Sequence, residues 1–184
     1  MSRWAGSNLF RGKRKMKAKT TRRKKALWLV SLLPCLIGLL SAAQPAFADF
    51  SAKVMEIVGG DTIILWHNNR TEKIRLNGVV CPDKTQPYGG QAKRFTSFMV
   101  QNKDVTVRVV GKDQNGSTIG DVILRDGQEL NKELVKEGLA WWDRKQSTNQ
   151  SLGQLEDVAR AERRGLWADP HPVPPWEWKK QQHR

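Results

Sequence analysis

The chain predicts an α+β domain, mainly β: a five-stranded OB-fold barrel with about three helices. Three observations lead there. Five short stretches rich in β-branched and apolar residues lie between Phe50 and Leu124, separated by glycine, asparagine and proline turns. One helical pattern falls between the third and fourth stretches, and two more follow the fifth. Strands and helices in that order make an OB-fold barrel.

Phe50 to Val58 alternates loosely and is the first strand. Gly59-Gly60 offers a tight turn with positive φ. Thr62 to Trp66 is the second strand, His67 to Arg70 a polar turn, and Lys73 to Leu76 the returning strand of a hairpin. Cys81-Pro82 stops it, because proline donates nothing to a ladder. In the helix at 91–100, Ala92, Phe95, Phe98 and Met99 are predicted to share one face, with Lys93 and Arg94 outside. Val105 to Val110 and Ile119 to Leu124 are the last two strands. Asn131 is expected to cap a helix that Gly138 ends. Ser151 is expected to cap the last helix, with Leu152, Leu155, Val158, Ala159 and Glu162 on its packed face and Gly165 closing it. Residues 169–175 are proline-rich and extended. Trp176 and Trp178 are expected to pin that tail to the barrel.

The first 48 residues hold eleven Lys and Arg and no acid. The formal charge of the whole chain is +14, so the remainder, with 21 basic and 18 acidic residues, is near +3. The high basicity is therefore concentrated in the leader and does not by itself mark a nucleic-acid protein. A basic run at 13–25, a fifteen-residue apolar run at 26–40 and Ala46-Phe47-Ala48 together read as a signal peptide, with Met16 a second candidate start. A spanning helix wants about 20 apolar residues, so cleavage after Ala48, with no membrane anchor kept, is the expectation. The organisation that follows is 1–48 signal peptide, 49–168 barrel domain and 169–184 proline- and tryptophan-rich tail. Cys81 alone remains after cleavage, so no internal disulfide forms. A monomer, exported to the periplasm or secreted, is expected.

The chemistry gathers at Gly59-Gly60-Asp61-Thr62, Arg75-Leu76 and Val80-Cys81-Pro82-Asp83. Asp61 opens one strand of the hairpin and Arg75 lies on the other. A carboxylate holds a divalent cation through hard oxygen ligands. A guanidinium forks onto two phosphate oxygens. A second carboxylate, Asp83, can position or deprotonate a water. The same residues also suit a surface hairpin with one salt bridge, and the spacing alone leaves both open. Trp141 and Trp142 suit either base stacking or packing. His67, His171 and His183 are scattered and suggest no metal site.

These motifs resemble the staphylococcal nuclease (thermonuclease-like) family. The likeness extends through Pro87-Tyr88-Gly89, Asn115-Gly116-Ser117, Leu130-Asn131, Glu137 to Trp142, Ala159-Arg160, Arg164 to Trp167 and Pro174 to Trp178, and so spans about residues 50–178. It implies an OB-fold nuclease that hydrolyses phosphodiester bonds of DNA or RNA, single strands in particular, with Ca²⁺ as the expected cation. It implies Asp61 as a metal ligand, Arg75 and Asp83 as catalytic residues, and Arg75, Lys84 and Tyr88 as nucleic-acid contacts.

The resemblance also marks where this chain departs from its pattern. The second calcium acid of the family is Val80, the family's glutamate is Asp83, and its second arginine is Ser117. Asn115 replaces a tyrosine and Asp143 an aromatic. Valine offers a cation no side-chain oxygen, and serine offers phosphate no cationic fork. Loss of one such electrostatic donor costs on the order of 10²–10³ in rate. A degenerate site is expected, with weak activity or altered metal use. The alternative is an inactive OB-fold module that binds nucleic acid or a protein partner through Arg75, Lys84, Lys93 and Arg94.

Overall fold

The structure, a computed structural model, describes residues 48–182. The signal-peptide reading falls almost wholly outside them, as does His183. Strand β1 (Phe50–Ile57) pairs with β2 (Thr62–His67), which pairs with β3 (Arg70–Leu76), all antiparallel. Two short strands, β4 (Val79–Val80) and β7 (Trp141–Trp142), form a separate ribbon. After helix α1 (Gly89–Val100), β5 (Asp104–Lys112) and β6 (Thr118–Ile123) complete a closed barrel in the order β1-β2-β3-β6-β5. β3 and β6 run parallel, and β5 closes onto β1. The α+β, mainly β, barrel expected from the sequence is what the chain forms.

Three further α-helices follow: α2 (Leu130–Lys136), α3 (Gln150–Ala161) and α4 (Pro175–Gln182), with a 3₁₀ turn at Gly165–Ala168. Val54, Ile63, Leu65, Ile74, Val107 and Val122 are fully buried inside the barrel strands, and Leu130 and Leu134 of α2 join the same core. Burying a side chain of this size contributes about 1.5–3 kcal/mol, so this set, rather than any disulfide, holds the barrel. Among the described residues, no helix is long and apolar enough to cross a membrane.

Several local expectations are corrected. Gly59 and Gly60 do not take positive φ. Glycine is needed at 60 because a Cβ there would come within 2.7 Å of the Cys81 sulfur and of the Ala92 side chain. The buried face of α1 is Gly89, Ala92, Thr96 and Val100, and Phe98 points out at 79% exposure. Asn131 is not a cap: Glu129 holds that position. The buried Asn131 side chain accepts from Val122 N–H (3.0 Å) and donates to the Asn77 carbonyl (2.9 Å), tying β6 to the turn after β3. Asn149, not Ser151, caps α3, its side chain accepting from Ser151 N–H. That helix ends at Ala161, before Gly165. Val158 is half exposed and Glu162 exposed, while Glu156 is buried between Arg144 and Arg160.

The tail is more ordered than its prolines suggest. Residues 169–174 carry no regular structure, but Pro175 opens α4. Proline suits that first position because its missing N–H has no helical partner to lose. Trp176 meets Trp141 edge-on at 5.9 Å between ring centroids.

Candidate active site

The turn between β1 and β2, the strand β3, the loop after β4, the start of α1 and the β5–β6 turn converge on one open cleft of about 450 Å³. Asp61, Arg75, Val80, Asp83, Lys84 and Ser117 all line it. Residues separated by up to 56 positions in sequence are thus brought to one place by barrel closure.

Local bonding positions Asp61 and Asp83, and the ladder positions Arg75. Asp61 Oδ1 accepts from Thr62 Oγ1 (2.9 Å), and Oδ2 accepts from Cys81 N–H (3.0 Å). These two bonds aim the carboxylate and stitch the β1–β2 turn to the loop that carries Asp83. Arg75 lies opposite Thr62 across the β2–β3 ladder. Among the described residues it forms no ion pair, leaving its guanidinium open to an anion. Asp83 is set in a turn: its N–H donates to Gln86 Oε1 (3.3 Å), and its carbonyl accepts from Gln86 N–H (2.9 Å). Cys81 is buried beneath the cleft; burial, then the neighbouring Asp61 charge, pushes its thiol well above the usual range.

Three cleft residues were not singled out from the sequence. Lys73 lies two positions before Arg75 on β3, so strand alternation puts both on one side; that signal was readable. Asp113 begins the β5–β6 turn, and its Oδ1 accepts from Asn115 N–H (2.9 Å) and Ser117 N–H (2.8 Å). Partial burial pushes its carboxyl up, but those bonds and the Arg75 charge outweigh it and hold the group below the usual carboxylate range. Lys179 arrives from α4, with no local signal in the chain.

Other expected residues lie elsewhere. Tyr88 faces a smaller, more enclosed cavity with Trp141, Leu166 and Trp178, and packs against the Trp141–Trp167 cluster. The structure does not bring it into the cleft. Trp141 is buried against Trp167 at 4.4 Å. Trp142 is half-buried, with Arg144 over its ring at 4.8 Å. Both tryptophans therefore pack rather than present open faces for bases. Asp143 accepts from Lys145 N–H in a turn and does not line the cleft.

Comparison with known proteins decides the family. The family described as staphylococcal nuclease homologue matches residues 73–169. The chain belongs to the staphylococcal nuclease family. It is 36% identical over 132 residues to an uncharacterized endonuclease of Escherichia coli O157:H7, covering 72% of this chain and 86% of that protein. It is 32% identical over 152 residues to a micrococcal nuclease of Shigella flexneri, covering 77% and 87% respectively. An uncharacterized endonuclease of Haemophilus influenzae is 34% identical over 133 residues, covering 72% and 74%.

The family's calcium arrangement does not fit these residues. Val80, at the place where the resemblance expects the second acid, lines the cleft and has no side-chain oxygen to offer. That leaves Asp61 as the one carboxylate at the positions where the resemblance expects calcium acids. Among the described residues, no three His, Cys, Asp or Glu side chains gather in a metal-holding group. Calcium takes 6–8 oxygen ligands and binds according to their charge, so this donor set is poor for it.

Proposed function

We propose that this protein is an exported nuclease that hydrolyses phosphodiester bonds of DNA or RNA with weak activity and altered metal use. The observation that carries the reading is the convergence of Asp61, Arg75 and Asp83 on one cationic cleft. Arg75 binds two oxygens of the scissile phosphate through its fork and neutralises charge that develops there. Asp83 orients a water and takes its proton. Its carboxylate is one methylene shorter than the family's glutamate, and about 1 Å of misplacement costs about 10²-fold. Mg²⁺ is commonly held by one or two carboxylates together with substrate phosphates. Asp61 would hold a cation in that mode, and the cation would supply charge neutralisation at the phosphate. Single strands, which can enter an open cleft without unpairing, are the favoured substrate, and the protein acts as a monomer.

The test is cleavage of labelled single-stranded DNA and RNA in Ca²⁺, Mg²⁺, Mn²⁺ and a chelator. Slow cleavage in Mg²⁺ or Mn²⁺, abolished by the chelator and by Asp61→Ala, is expected. Cleavage strongest in Ca²⁺ would overturn the altered metal use. Val80 and Ser117 favour a second reading, a nuclease-like module that binds without cutting; salt-sensitive binding with no cleavage under all four conditions would select it. Export rests on the basic, apolar and Ala-Phe-Ala segments. Intact mass of the exported protein is expected to place Asp49 at the N-terminus, and a product retaining residues 26–48 would refute it.

A further inference from the structure

We infer that Lys179, from the C-terminal helix, is a phosphate-contacting residue of the cleft and stands in for the cationic clamp that Ser117 does not supply. The inference deepens the nucleic-acid reading above and rests on it. Pro175 and Lys179 line the same cleft as Arg75 and Asp83. Their helix is not loosely appended. Trp178 Nε1 donates to Thr85 Oγ1 (3.5 Å), and Gln182 Nε2 donates to the same oxygen (3.3 Å). Gln86 Nε2 donates to the Val173 carbonyl just upstream. Thr85 and Gln86 belong to the turn that sets Asp83. The tail is therefore fastened to the loop carrying the water-orienting acid, and Lys179 keeps a fixed relation to it.

Charge agrees with this assignment. Five cationic side chains line the cleft against three carboxylates, although the chain beyond residue 48 is only about +3. Lys179 is exposed and, among the described residues, forms no ion pair. An unpaired ammonium on a fixed helix at the rim of a polyanion site is a point-charge phosphate contact. Lys180, its neighbour, does not line the cleft and is the control.

The experiment is binding of a labelled single-stranded DNA oligonucleotide to the full chain, with a chelator present, over a series of salt concentrations. Each phosphate contact contributes about −0.7 to the slope of log K against log salt on a single strand. Lys179→Ala is expected to weaken binding and make the slope shallower by about 0.7. Lys179→Arg is expected to keep the slope, Lys180→Ala to leave it unchanged, and thermal melting to show all three folded. If Lys179→Ala and Lys180→Ala both keep the wild-type slope, Lys179 touches no phosphate and this inference falls while the nuclease reading stands. If the wild type neither binds nor cuts, both fall.

Discussion

Gly89 has no room for a side chain. A Cβ built there would collide with the backbone carbonyl of Asp83, whereas one at Gly90 would meet only the flexible end of Arg94 at 3.4 Å. The first turn of α1 thus rests directly on the loop that carries Asp83, the proposed water-orienting acid. Gly89→Ala is expected to destabilise the fold by about 1–3 kcal/mol, the usual cost of overpacking, and to lower cleavage further by moving Asp83. Gly90→Ala, inside the same helix, is expected to be neutral or to stabilise by about 0.5–1 kcal/mol. Melting temperature and cleavage rate of the two variants check this, and equal behaviour would refute it. Asp61, Arg75 and Asp83 were legible in the sequence because each sits in a short motif at a strand end, where side-chain chemistry and spacing agree. Lys73 was legible by alternation. Asp113 and Lys179 were not, because a turn conformation and a folded tail place them, and neither is written in local periodicity.

The elements themselves were read more surely than their faces. The strands and α1 to α3 lie near their expected positions, since β-branched runs and turn residues mark them strongly. The faces failed where polar groups do structural work. Thr96 is buried on α1 with its hydroxyl donating to the Gly60 carbonyl at 2.6 Å, and the buried face runs through it to Val100, which leaves Phe98 outside. On α3, Glu156 is buried because Arg160 (2.8 Å) and Arg144 (3.2 Å) both donate to it. Those guanidiniums in turn lie over aromatic rings, Arg160 at 3.7 Å from Trp167 and Arg144 at 4.8 Å from Trp142. A carboxylate with two cationic partners is tolerated where an unpaired one is not. The expected face runs through Glu162, which is exposed, and passes over Glu156, whose burial rests on its two arginine partners and not on hydrophobic periodicity. Asn131 was misread for the same reason: a residue that usually caps a helix instead spends its side chain inside the fold.

At the scale of the whole molecule, the chain has the closed barrel of its family, and the proposed weak activity turns on a few residues of the cleft. Barrel closure delivers Asp61, Arg75 and Asp83 to one place, with Val80 and Ser117 beside them at the two positions where the resemblance expects an acid and an arginine. Lys73, Lys93 and Lys179 also line the cleft. If those substitutions account for a weak calcium response, reversing them should restore it. The direct measurement is the single-stranded DNA cleavage rate at saturating Ca²⁺ for wild type, for Val80→Asp with Asp83→Glu and Ser117→Arg, and for that triple with Asp61→Ala added. The triple is expected to exceed wild type by at least the ~10²–10³ that one restored electrostatic donor supplies. Each single change should gain little, because groups acting as one catalytic unit are non-additive. Adding Asp61→Ala should abolish the gain. A wild type that already cuts as fast in Ca²⁺ as the triple, or a folded triple that gains nothing, would contradict the account.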